Sequence, residues 1–164
     1  MNGDVLSNGG QIGVRWYELR GAWHVITAAT LAGSPPFQQQ TYAGSPGDSN
    51  YRWMGSIARD KFGNILLGYS ESSSAIHPAI GLAGRSAASL PPSTLSAEVL
   101  APIANNGSQP DTSDRWGDYS AMRIDPHDNC TFWYTTEYYM VTVPFDWSTQ
   151  IISARFAPPY PFPC

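Results

Sequence analysis

Apolar and polar positions along this chain alternate with a period of two far more than with a period of three to four, and the alternation predicts strands. Gly13 to Arg20 (GVRWYELR) alternates in polarity, and Ala22 to Leu31 (AWHVITAATL) is rich in β-formers. With Arg20-Gly21 between them the pair predicts a hairpin. Residues 1–13 read as a loop, and the Ser/Pro/Gln/Gly-rich stretch Gly33 to Asn50 predicts a long one. Met54 to Asp60 is the next expected strand, Lys61-Phe62-Gly63 a turn with Gly63 at positive φ, and Asn64 to Glu71 the returning strand. Its Ile65-Leu66-Leu67 run is apolar on both faces, as a strand covered on both sides requires. His77 to Arg85 and Thr94 to Pro102 complete a group of four, and Asn105 to Asp114 is a polar link. Tyr119 to Asp125, a turn at 126–129, Cys130 to Tyr139 and Gln150 to Phe156 make a group of three before a Pro-rich tail. The expected class is all-β, with nine strands and no helix longer than a turn.

The two groups begin alike. Arg52-Trp53 recurs as Arg115-Trp116, and the segment Asp60 to Ser70 aligns without a gap on the segment starting at Asp125. The second copy carries two extra residues after its Trp. A recurring unit of strand, tight turn and strand is the mark of a β-propeller blade, a four-stranded antiparallel sheet. Blade by blade, 14–31 reads as an outer half-blade, 52–104 as a full blade, 115–156 as the inner strands of the next, and 157–164 as a tail, all within one propeller-type unit spanning 1–164.

Composition narrows the function. Charged residues are 13% of the chain and aromatics 13%, with 15 Gly and 14 Pro, which suits an all-β protein. The net charge is −4, the cations are eight Arg and the single Lys61, and they do not cluster. Nucleic-acid binding is therefore not expected. The longest weakly polar stretch, 22–33, is too short to span a bilayer and contains His24, so no membrane partner is expected either. Residues 1–13 lack the regions of a secretory signal, and Met1 reads as an artificial start within a longer parent. Cys130 and Cys164 are expected to pair, tying down the tail and implying an oxidising, extracellular setting.

The blade signature, an apolar strand ending in Asp, a turn ending in Gly63-Asn64 and a departing apolar strand, resembles that of NHL-type six-bladed propellers. The combination of Arg-Trp-Met-Gly-Ser-Ile-Ala at 52–58, Arg-Trp-Gly-Asp-Tyr-Ser-Ala-Met at 115–122 and the aromatic run 130–139 is similar to the sialidase-like propeller region of large secreted bacterial multidomain proteins. The resemblance covers residues 13–156 and implies a C-terminal fragment of about two blades, without a transferable glycosidase activity. Two blades leave strand edges open, and such edges template pairing with another chain. Head-to-tail assembly of three copies into a six-bladed ring is the expected outcome.

In a propeller the loops entering the innermost strands gather at a central channel, where ligands bind. That logic selects Arg52, Trp53, Arg115, Trp116 and Tyr119 as ligand-binding candidates, with Asp118 as cation ligand or general base. A structural role, Trp packing between blades with Arg against it, competes for the Arg-Trp pairs. Asp60, Asp125 and Asp128 belong to turns and are expected to accept turn N–H groups; a Ca²⁺ at Asp125, Asp128 and Asn129 is a weaker alternative. His24, His77 and His127 show no zinc-binding spacing, and His77, beside Asp118, is the metal candidate for Zn²⁺ in an assembled ring. Glu71 and Glu137 are expected to be solvated or paired with Arg. Two functions follow: a module binding a carbohydrate or small anion through Arg, Trp and Asp, or a hydrolase of esters or phosphoesters. Six-bladed lactonases and phosphotriesterases supply the precedent for the second by fold analogy alone.

Overall fold

The computed structural model of the chain describes residues 2–6, 10–18, 38–42, 44, 47–88, 95–96, 98–102, 106–110 and 115–157. These form ten strands and no helix: β1 (Asn2–Leu6), β2 (Ile12–Glu18), β3 (Gln38–Tyr42), β4 (Tyr51–Arg59), β5 (Ile65–Ser72), β6 (Ala79–Arg85), β7 (Val99–Leu100), β8 (Ala121–Ile124), β9 (Phe132–Tyr138) and β10 (Ser148–Ala154). They pair antiparallel in three sheets, ordered β1-β2-β3, β4-β5-β6-β7 and β10-β9-β8. The all-β class and the groups of four and three strands agree with the alternation in sequence.

The first sheet departs from expectation. Residues 2–6, read as loop, form β1 and pair with β2 from Asn2↔Trp16 to Leu6↔Ile12. β3 lies inside the expected 33–50 loop and takes the other edge of β2, from Val14↔Tyr42 to Glu18↔Gln38. Both edges of β2 are thus filled, so the expected hairpin of 13–20 with 22–31 does not form along these residues. Residues 22–31 themselves lie outside the described set. Polar composition hid both strands: an edge strand needs only backbone pairing and a few inward side chains. β7 is also shorter than the expected Thr94–Pro102. Bonds from Ser96 N to Gly84 O and from Ala101 N to Ile80 O extend its pairing on either side.

The middle sheet is covered on both faces, and β5 shows why its sequence is apolar throughout. Every residue from Ile65 to Glu71 is buried. Ile65, Leu67 and Tyr69 face one cluster with Val14, Trp16, Tyr42, Ala83 and Leu95. Leu66 faces the opposite cluster with Ile80, Ala101, Met122, Phe132 and Tyr134. Each fully buried apolar side chain contributes roughly 1.5–3 kcal/mol. Strand periodicity thus distributes one run of residues between two interfaces. Gly68 marks the closest approach, since a Cβ there would lie 2.8 Å from the Tyr134 ring. At one margin of the stack β4 lies between β1 and β8, the first strands of the flanking sheets.

The copies also differ in the turn. Arg59 pairs with Ile65 across residues 60–64, whereas Ile124 pairs with Phe132 across 125–131, so the second turn is two residues longer. The gapless alignment of Asp60–Ser70 is therefore corrected: Leu67 corresponds to Tyr134 and Tyr69 to Thr136, all buried alike. The expected turn chemistry is present. Asp60 Oδ1 accepts from the backbone N–H of Phe62 and Asn64, and Gly63 has φ 90°. Asp125 accepts from His127 N, Asp128 from Cys130 N and Thr131 N, and Asn129 takes the left-handed position at φ 59°. Lys61 N donates to Asn129 O and joins the two turns.

Candidate functional site

The two Arg-Trp pairs start from one backbone device. After Trp53 the register with β5 slips by one residue, a bulge, and Met54 adopts φ 50°. After Trp116, Gly117 adopts φ 64°. The two left-handed residues face each other, because a Cβ on Gly117 would lie 3.4 Å from Met54 Cγ. Ser120 Oγ donates to Met54 O, and Met122 N donates to Ser56 Oγ, locking the copies together. Trp53 meets Trp116 edge to face at 6.3 Å, and Trp116 lies against Tyr139 at 5.2 Å while its Nε1 donates to Ser70 Oγ. Both tryptophans therefore pack between neighbouring sheets.

From there the copies diverge. Arg52 is fully buried. Its Nε and Nη2 donate to Glu98 at 2.8 and 3.0 Å, its Nη1 and Nη2 to Asp48 at 3.1 and 2.8 Å, and Nη2 lies 3.2 Å from Glu71. Nη1 also donates to Asn50 O. Tyr69 closes the cluster by a short bond from its hydroxyl to Glu98 Oε2. Burial works against the Arg52 charge, but the bonds to Glu98 and Asp48 outweigh it and raise its pKa. Burial, and then the facing Glu98, push the Glu71 carboxyl up to about 8. Burial works against the charge of half-buried Glu98 as well, but the bonds that Arg52 and Tyr69 donate hold it below the usual carboxylate range. This corrects the expectation for Arg52: its guanidinium neutralises the protein's own carboxylates and is closed to an external anion. The expected pairing of Glu71 with an Arg is what the structure shows.

Arg115 is the opposite case, with 69% of its side chain exposed. Its Nε and Nη2 both donate to Asp118 Oδ2, one turn on in the same loop. Around this pair opens a cleft of about 350 Å³, lined by Gln109, Arg115, Trp116, Gly117, Asp118, Tyr119, Glu137, Phe145 and Trp147. The loop before β8, the end of β9 and the loop leading to β10 all converge at this end of the third sheet. Tyr119, Phe145 and Trp147 are exposed, the last by 57% of its surface. Phe145 has φ 57°, a strained backbone for a bulky side chain, of the kind that collects at binding sites. Glu137 accepts a bond from the Gly117 N–H, but burial, and then the nearby Asp118, raise its pKa.

Four of the expected residues, Arg115, Trp116, Asp118 and Tyr119, therefore come together, while Trp53 packs behind Trp116 and Arg52 is sealed off. Gln109, Glu137, Phe145 and Trp147 were missed as site residues. Their signal was two aromatics flanking an Asp in a stretch without alternation, 143–147. His77 does not line the cleft; its Nδ1 meets Ser108 Oγ at 2.9 Å. Among the described residues no three His, Cys, Asp or Glu side chains converge as metal ligands, so His77 and Asp118 do not form a shared site within the chain. Asp128 is engaged by Thr131, by the backbone of Cys130 and Thr131, and by Arg155, which hold its pKa far down. Cys130 is buried, and its expected partner Cys164, like His24, lies outside the described residues. No protein-family model, curated protein or solved structure matches the chain.

Proposed function

We propose that this chain is a β-propeller-type module that binds a carbohydrate at the cleft before β8. The observation that carries the reading is the gathering of four aromatic side chains with an amide, two carboxyls and an arginine around one open cavity. Ring faces stack on the apolar faces of a sugar, and the polar groups read its hydroxyls. The strained Phe145 supports the same reading, because its cost is maintained at an exposed position where packing does not require it. A small anion fits less well, since Arg52 is buried and the Nε–Nη2 edge of Arg115 is taken by Asp118. Titration of intrinsic tryptophan fluorescence with a panel of oligosaccharides tests it. Saturable quenching by a member of the panel is expected, and Trp147→Ala weakens it about tenfold, or about 1.4 kcal/mol. No response to any sugar overturns the reading.

A hydrolase is the second reading, favoured by one observation: Glu137, with its raised pKa, shares the cleft with Asp118, the arrangement of an acid beside a base. Turnover of chromogenic esters or phosphotriesters, lost in Asp118→Ala, would establish it.

The ring belongs to the same proposal. The stacked sheets, first strands side by side, support consecutive blades of a secreted propeller of the sialidase-like or NHL-like kind, with a Cys130–Cys164 bridge holding the tail. With three sheets in each chain, two copies supply six blades in place of the three copies that a two-blade count required. A solution mass of two chains is expected.

A further inference from the structure

We infer that the ligand of this cleft carries a cationic amine, as a glycan of amino sugars with free ammonium groups does. The inference rests on the carbohydrate reading above and adds the ligand's charge. The charged groups facing the cleft are Arg115, Asp118 and Glu137. Arg115 and Asp118 neutralise each other through two bonds to one carboxylate oxygen, so their pair presents little net field. Glu137 is the remainder. Its partner is the Gly117 N–H, its charged neighbour is the like-charged Asp118, and among the described residues no Lys, Arg or His forms an ion pair with it. A carboxyl set among aromatic rings without a protein cation is complementary to an ammonium group. The amine donates charge-assisted hydrogen bonds to the carboxylate, and ring faces attract the same charge. An acetylated amine loses both terms, and a uronate meets an uncompensated carboxylate. The chain's net charge of −4 also favours a cationic ligand at long range.

The test compares three oligomers of equal length on the intact chain by calorimetry: β-linked glucosamine, its fully N-acetylated form, and a uronate. At moderate salt and pH 6.5, the glucosamine oligomer is expected to bind at least about tenfold more tightly than the acetylated one. The uronate should be weakest. Raising the salt should narrow the gap, and Glu137→Gln should bring the glucosamine affinity down toward that of the acetylated oligomer. Equal affinity for the first two oligomers overturns the inference while leaving the carbohydrate reading intact. If none of the three binds, the carbohydrate reading falls. Choline chloride, titrated against sodium chloride at matched ionic strength, then decides the charge question alone: tryptophan quenching by choline upholds a cation site, and its absence ends it.

Discussion

Arg52-Trp53 and Arg115-Trp116 are the same dipeptide, followed by the same left-handed backbone, and yet one arginine is interred and the other stands in solvent. What separates them comes from other parts of the chain. Asp48 from the preceding loop, Glu71 from β5 and Glu98 at the start of β7 close over Arg52. In the third sheet the position opposite Trp116 and its neighbours offers Glu137, and among the described residues no fourth strand brings a counterpart of Glu98. Where the fourth strand closes the end of the sheet, the repeat makes a structural salt cluster. Where closure is lacking, the same repeat makes a cleft.

The largest expected effect breaks that contrast at its root. Arg52→Ala leaves three carboxyl groups around a vacated buried charge and should destabilise the fold by about 3–5 kcal/mol, read by chemical denaturation. Arg115→Ala, at an exposed pair, should leave the denaturation midpoint unchanged and alter only ligand binding. Equal effects would mean that the two sites are not different in kind. Next in size is Gly117→Ala. It places a Cβ at φ 64° and against Met54 Cγ, and should cost about 1–2 kcal/mol.

The last effect is a slope. Glu71 holds its proton up to about 8 in the folded chain, against 4.5 for an ordinary Glu. Between those values the folded state binds the extra proton, so this group's contribution is full below the lower value and is lost as pH rises through the upper one. Glu98, depressed, works oppositely and loses its contribution as pH falls below the carboxylate range. Stability measured by urea denaturation should therefore decline from about pH 5 to about pH 9, and Glu71→Gln should flatten that decline. A wild-type profile already flat across this window would show that Glu71 is ionised and that Arg52 alone holds the cluster.

Much of the fold could be read from alternation, and the reasons for the exceptions are local. β5 was legible because a strand covered on both faces carries an unbroken apolar run, Ile65 to Leu67. β9 was legible because aromatic and β-branched residues fill it apart from Glu137, and the Asp60 and Asp125 turns because their side chains bond the turn they sit in. β1 and β3 were not, since each is mostly polar with its apolar residues at one end, too few for alternation to show. The extra length of the second turn was hidden because Asp125-Pro126-His127-Asp128-Asn129 begins with Asp and ends with Asn as residues 60–64 do, while two more positions follow before β9. Half of the cleft was legible through the repeated Arg-Trp pair. Glu137, Phe145 and Trp147 join it only because the end of β9 and the loop before β10 fold back to the start of β8.

By itself the amino-acid order determined the class, the strand–turn–strand unit and the pairing of Arg with Trp, because period-two burial and turn hydrogen bonds act between residues close in the chain. Which arginine would be sealed and which would face a ligand was decided only in three dimensions. The charge state of a buried group depends on carboxyls that arrive from 46 residues away, as Glu98 does to Arg52, and no local pattern records their arrival.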